Sequence, residues 1–60
     1  MVQFFINSRP VPRAMARYHL AEANPARSLE YLSKAMSKAI KADAEAVKFL
    51  AAYGVEVRKL

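Results

Sequence analysis

The sequence has no cysteine, no tryptophan, one histidine and one glycine among its 60 residues. Without cysteine there is no disulfide to staple so short a chain. One histidine and five scattered acids do not supply the converging ligands that a metal site needs. The lone glycine, Gly54, rules out a glycine-rich loop of the kind that cradles phosphates. No apolar run approaches the ~18 residues of a membrane-spanning helix. The opening MVQFFINSRP has no basic residue ahead of its apolar stretch and no small-residue cleavage site, so a signal peptide is not expected. A nucleophile needs a base within reach. Ser8 falls in a loop and Ser28, Ser33 and Ser37 fall on a helix, none in a strained turn. Paired carboxylates are not suggested anywhere. These absences predict a cytoplasmic protein that is not an enzyme, with no cofactor, no metal and no small-molecule substrate.

What the chain does have is positive charge and alanine. Ten basic residues against five acidic ones give a net charge of +5, which attracts nucleic acid, anionic membrane surfaces or acidic proteins. The hydrophobic share is 55%, but twelve of those residues are alanines, leaving 21 larger apolar side chains for a core. A chain of this length buries only about 60% of the surface its unfolded form exposes. One small domain over residues 1–60 is expected, supplemented by a second copy or by a complex with an acidic host protein.

The apolar pattern gives the order of elements. VQFFI, residues 2–6, is a strand signal with Val2, Phe4 and Ile6 on one face and Gln3 and Phe5 on the other. Phe5 implies burial on both faces. Pro10 and Pro12 end that strand, and Pro12 suits the first turn of a helix running to about Ala23. Spacing places Val11, Met15, Tyr18 and the stem of Glu22 on the inner side of this helix, with Ala14 and Ala21 beside them. Arg13, Arg17 and Leu20 point to water. Asn24-Pro25 reads as an N-cap and first turn, opening a second helix with Leu29, Leu32, Met36 and Ile40 as its stripe. Through KADAEAVKFL that helix either continues, reaching roughly 29 residues and about 43 Å, or breaks at Asp43. The break is favoured, because Asp43 would otherwise lie within the apolar stripe and is a good N-cap, with Glu45 following in the first turn. A third helix over 44–53 then ends at Gly54, and VEVRKL alternates as a second strand. The expected fold is mostly α with short flanking strands: β-α-α-α-β, or β-α-α-β if the second helix is continuous. It makes a small two-layer domain, and dimerisation through a strand edge would extend two strands to four.

Two sets of residues carry the functional expectation. The first is basic: Arg9, Arg13 and Arg17, four residues apart, and Lys34, Lys38 and Lys41 on the second helix. Arginine grips phosphate or carboxylate with two hydrogen bonds and lysine acts as a point charge, so both rows are candidate contacts to an acidic partner or a nucleic acid. Such rows are equally the ordinary wet side of amphipathic helices. The second set is aromatic: Phe5, Tyr31, Phe49 and Tyr53, which are interface material where they lie outside a core. Ala35, Ala39, Ala42 and Ala46 form a row that lets helices approach closely. His19 reads as a partly exposed helix residue. Base readout is not expected, since the third helix would expose Glu45, Lys48 and Ala52. Membrane attachment is not expected either, because the apolar faces are committed to a core and Glu30 and Glu45 share the polar side. The function these features imply is that of a non-enzymatic small basic binding protein. It would regulate or inhibit a partner macromolecule by occupying its surface, as phage or mobile-element inhibitors of nucleic-acid-handling host proteins do. The alternative is sequence-tolerant nucleic-acid binding through the basic helix faces.

Overall fold

Val2–Ile6 forms the first strand (β1), and the chain doubles back on it at once. The computed structural model describes residues 2–60. Asn7 and Ser8 both take positive φ, 53° and 65°, which matches a two-residue turn of the kind that suits the strand twist. The returning strand, β2, is Arg9–Val11, with Ile6 opposite Arg9, Phe5 opposite Pro10 and Phe4 opposite Val11. Pro10 therefore does not end the sheet, contrary to the sequence expectation. In a tight antiparallel hairpin the pair next to the turn exchanges hydrogen bonds and the following pair does not. Pro10 occupies that following pair on an edge strand, where a missing N–H costs no ladder bond.

The first helix, α1, spans Arg13–Ala23, and Pro12 precedes it with its carbonyl accepting from the Ala16 N–H at 3.1 Å. Its inner face is not the expected one, although Val11 and Ala21 do pack half-buried against the core. Ala16 and Leu20 are fully buried, while Met15 and Tyr18 are 55% and 67% exposed. Large apolar residues lie on both sides of this helix, so their spacing does not choose between the faces. Packing does choose: Ala16, with no side chain beyond Cβ, lets the helix come down on its neighbours and carries Leu20, one turn on, into the core. Asn24 also has a different role from the expected one. Its buried Nδ2 donates to the Leu20 carbonyl at 2.9 Å, so it closes α1 instead of opening the next helix. The second helix, α2, runs Leu29–Ile40 and is capped by Ser28, whose Oγ accepts from the Tyr31 N–H at 3.1 Å. Leu29 consequently lies in the first turn and is exposed.

The break at Asp43 is real. The Asp43 N–H donates to the Lys38 carbonyl and the Ala42 N–H to the Ala39 carbonyl, both at 3.0 Å, closing α2 with the crossed pair of bonds of a Schellman motif. Asp43 Oδ1 then accepts from the Ala46 N–H at 3.0 Å and opens the third helix, α3, Ala44–Ala52. Ala42 occupies the left-handed position of the motif, at φ 65°, where a Cβ is unfavourable by about 1–2 kcal/mol. Glycine removes that strain but frees the unfolded chain, which returns part of the gain. Ala42→Gly is therefore expected to stabilise the fold by about 0.5–1 kcal/mol, read as a higher urea midpoint at unchanged slope.

Gly54, at φ 82°, turns the chain out of α3 into the last strand, β3, Val55–Lys59. β3 lies antiparallel to β1, so the three-stranded sheet has the order β2-β1-β3 with β1 in the centre. The architecture is β-α-α-α-β with its first strand doubled into a hairpin. The helices cover one face of the sheet, where Phe4 and Val55 join Ala16, Leu20, Leu32, Met36, Ala39, Ala46 and Leu50 in a single core. Of the alanine row, Ala39 and Ala46 are buried, Ala35 is half-buried and Ala42 is exposed at the junction. Phe5 faces the opposite side without a second layer above it. It is half-buried because the Arg58 guanidinium lies 4.4 Å from its ring centre.

Candidate functional site

Three of the four aromatic residues singled out in the sequence come together, and an arginine joins them. The short connection at Ala42–Asp43 folds α3 back along α2, which sets Phe49 beside Tyr31 with ring centres 5.9 Å apart, edge to face. Tyr53, one turn beyond Phe49, extends the row at 5.3 Å. At the other end the Arg27 guanidinium lies over the Tyr31 ring at 4.4 Å and reaches Phe49 at 5.7 Å. The result is a continuous strip, Arg27–Tyr31–Phe49–Tyr53, crossing from the α1–α2 loop over α2 to the end of α3. Phe49 is half-buried and anchors the strip to the core, while Tyr31 and Tyr53 remain 44% and 36% exposed. Stacking on an exposed ring contributes about 0.5–1 kcal/mol, which biases Arg27 towards the aromatics and leaves its charge in place. The aromatic half of the strip was visible in the sequence; Arg27 was not singled out. Its spacing of four from Tyr31 was the available signal, but Arg27 lies ahead of the first turn of α2.

The strip borders a groove between α2 and α3. Tyr31, Lys34 and Lys38 stand on one wall, and Asp43, Glu45 and Phe49 on the other. Lys34 reaches Glu30 at 3.9 Å with both side chains well exposed, a pairing that contributes little in water. The Asp43 carboxylate already caps α3. Lys38 and Lys41 continue along the outer side of α2, both exposed. Arg13 is drawn to the same helix from α1. Its guanidinium donates to Ser37 Oγ at 2.9 Å and to the Ser33 carbonyl at 3.3 Å. Arg17, one turn further along α1, is half-buried.

The other two predicted contact residues lie elsewhere. Arg9 is on β2 and lines a second groove, between the hairpin and α1, with Met15, Tyr18 and Glu22. Phe5 is on the open face of the sheet under Arg58. The six cations therefore do not form one surface: Arg13, Lys34, Lys38 and Lys41 gather around α2, and Arg9 faces away from them. His19 contributes no free imidazole edge at Nε2, which lies 3.0 Å from the Tyr53 carbonyl. A carbonyl only accepts, so Nε2 is the N–H donor there, and the bond ties α1 to the turn after α3.

Among the described residues, no three His, Cys, Asp or Glu side chains converge as metal ligands, and no helix is long and apolar enough to cross a membrane. What the geometry offers is contact chemistry: aromatic area at low entropic cost, a guanidinium stacked on it, and exposed lysines beside it. No protein-family model, curated protein or solved structure matches this chain, so these side chains alone carry the argument about function.

Proposed function

We propose that this chain is a non-enzymatic binding protein that lays its α2–α3 face on an acidic surface of a partner protein and regulates that partner by covering it. The observation that carries this reading is the Arg27–Tyr31–Phe49–Tyr53 strip and its border of Lys34 and Lys38. Arginine and tyrosine dominate the energetically important centres of protein interfaces. Surrounding charges of one sign speed encounter and select the partner more than they add affinity. The arrangement has both parts: aromatics with one stacked arginine, and Lys34 and Lys38 along the α2 side of the strip, facing Asp43 and Glu45 on the α3 side. The protein works as a homodimer or within the complex it forms, in the cytoplasm.

A second reading, sequence-tolerant binding of nucleic acid, is favoured by one specific feature. Ser37 and the Ser33 carbonyl hold Arg13 against α2, so that Arg13, Lys34, Lys38 and Lys41 can follow a phosphate backbone.

The test is capture from host lysate at near-physiological salt, comparing the wild-type chain with an Arg27→Ala/Tyr31→Ala variant. The expected result is a protein retained by the wild type and lost by the variant. Recovery of no protein partner, or equal recovery by both chains, overturns the proposal. Both substituted side chains are exposed, so the variant is expected to keep the wild-type helical circular dichroism.

A further inference from the structure

The second groove has a different character from the α2–α3 face. Ile6 and Val11 of the hairpin line it on one side, and Met15 and Tyr18 of α1 on the other. Met15 and Tyr18 are 55% and 67% exposed, the face of α1 that the core leaves uncovered. Arg9 stands on the hairpin side of this groove and Glu22 on the helix side. Among the described residues, neither makes an ion pair.

We propose that this groove is the contact between two copies of the chain, related by a two-fold axis, with Met15 and Tyr18 of each copy entering the groove of the other. Charge complementarity selects a second copy as the occupant. A two-fold contact presents the same patch twice, so a residue on one side of the patch meets a residue on the other side of its copy, and the reverse contact follows by symmetry. Arg9 and Glu22, on opposite sides and unpaired among the described residues, then form two reciprocal ion pairs across the dimer. The α2–α3 groove also carries both signs, Lys34 and Lys38 against Asp43 and Glu45, but there Lys34 is drawn to Glu30 and the Asp43 carboxylate caps α3. The groove beside α1 sets one cation and one acid at an apolar lining, neither of them committed to another described residue.

Size permits the contact. A specific interface needs about 1,000 Å² in total, roughly 500 Å² from each copy, which is near one eighth of the 4286 Å² surface of the chain. The backbone edge of β2 adds nothing, since it is three residues long and carries Pro10, so side chains hold this dimer and a strand ladder does not. The α2–α3 strip stays exposed on both copies. This inference deepens the homodimer part of the proposed function and leaves the partner surface to be tested separately.

The test is solution mass by sedimentation equilibrium, with charge exchange as its control. The wild type is expected to sediment at twice 6.7 kDa at concentrations of tens to hundreds of micromolar. Arg9→Glu and Glu22→Arg are each expected to weaken association at least tenfold by setting like charges opposite one another. The variant carrying both changes is expected to recover most of the wild-type association, because the reciprocal pairs re-form with their signs exchanged. Tyr18→Asp is expected to be monomeric, with wild-type helical circular dichroism. A wild type that stays monomeric throughout, or one whose dimer ignores these substitutions, overturns the assignment. So do two single variants whose defects add in the double variant. Capture of a partner by the α2–α3 face is scored separately with the monomeric Tyr18→Asp chain, so failure of one reading is told apart from failure of the other.

Discussion

Leu20→Ala is expected to destabilise the fold by about 3 kcal/mol, the ordinary cost of emptying a fully buried leucine site. Leu20 has no exposed surface and packs in the core with Ala16, Leu32, Met36 and Leu50. A chain of this length has a total stability of only about 3–9 kcal/mol, so the loss removes a third or more of it and lowers the melting temperature by upwards of about 12 °C. Tyr18→Ala, two residues earlier on the same helix, is expected to shift stability by less than about 0.5 kcal/mol. Both are read by urea and thermal denaturation, followed by circular dichroism at low micromolar concentration. Dilution matters, because a dimer held by Tyr18 would raise the apparent stability of the wild type by mass action. A large loss from Tyr18→Ala and a small one from Leu20→Ala, under those conditions, would mean that α1 packs on its Met15–Tyr18 side.

That pair of residues also shows where a sequence stops specifying its structure. Periodicity names an inner face when large apolar residues lie on one side and charges on the other, as they do along α2, where Leu32 and Met36 are buried opposite Lys34 and Lys38. Along α1 the large residues are split: Met15 and Tyr18 on one side, Leu20 on the other. There the packing partner decides, and Ala16 is the residue that admits one. Hydrophobicity ranks alanine too low to show this. Local chemistry was more reliable where a residue has one strong use. Asp43 followed by Glu45 marked the break between α2 and α3, and Gly54 marked the end of α3. It failed where a residue has two uses. Asn24 is good at either end of a helix, and its own contact with Leu20 determined which. The hairpin was hidden because Asn7-Ser8 is a weak version of the Asn-Gly turn, and because Pro10 breaks a strand everywhere except at the kind of position it occupies here.

The candidate site divides the same way. Phe49 lies on α3 and Tyr53 is its C-cap, four residues on, so their contact could be read from the sequence. Tyr31 reaches them only because α3 folds back along α2. Arg27 lies in a loop, where helical periodicity has no meaning, so a pattern-based reading has no reason to choose it over the other basic residues. Arg9, Arg13 and Arg17 share a spacing of four, yet Arg9 is on β2 and never belonged to the helix that gave the spacing its sense.

Substitutions in the strip and in its lysine border are expected to act on different steps of binding, and the difference distinguishes the two functional readings. Lys34→Glu combined with Lys38→Glu lowers the net charge from +5 to +1 without touching the core, since both side chains are exposed. If the target is an acidic protein, the lysines steer encounter. The double variant then loses at least tenfold in association rate with little change in dissociation. Tyr31→Ala combined with Tyr53→Ala leaves the charge unchanged and keeps the Tyr53 carbonyl that His19 holds. It is expected to raise the dissociation rate at least tenfold, because it removes the desolvated centre of the contact. If the target is a nucleic acid, each lost phosphate contact lowers the salt slope by about 0.7 on a single strand. The lysine variant would then flatten the slope by about 1.4 and cost far more affinity than the tyrosine variant at low salt. Surface plasmon resonance on the captured partner, with a labelled single strand titrated in parallel from ~50 to ~200 mM salt, reads both quantities. A rate split between the two variants on the protein, with weak and salt-sensitive binding to the strand, identifies the strip as the contact and the lysines as its guide. A binding loss that follows charge alone assigns the surface to phosphate, and leaves Tyr31, Phe49 and Tyr53 as the outer packing of the α2–α3 pair.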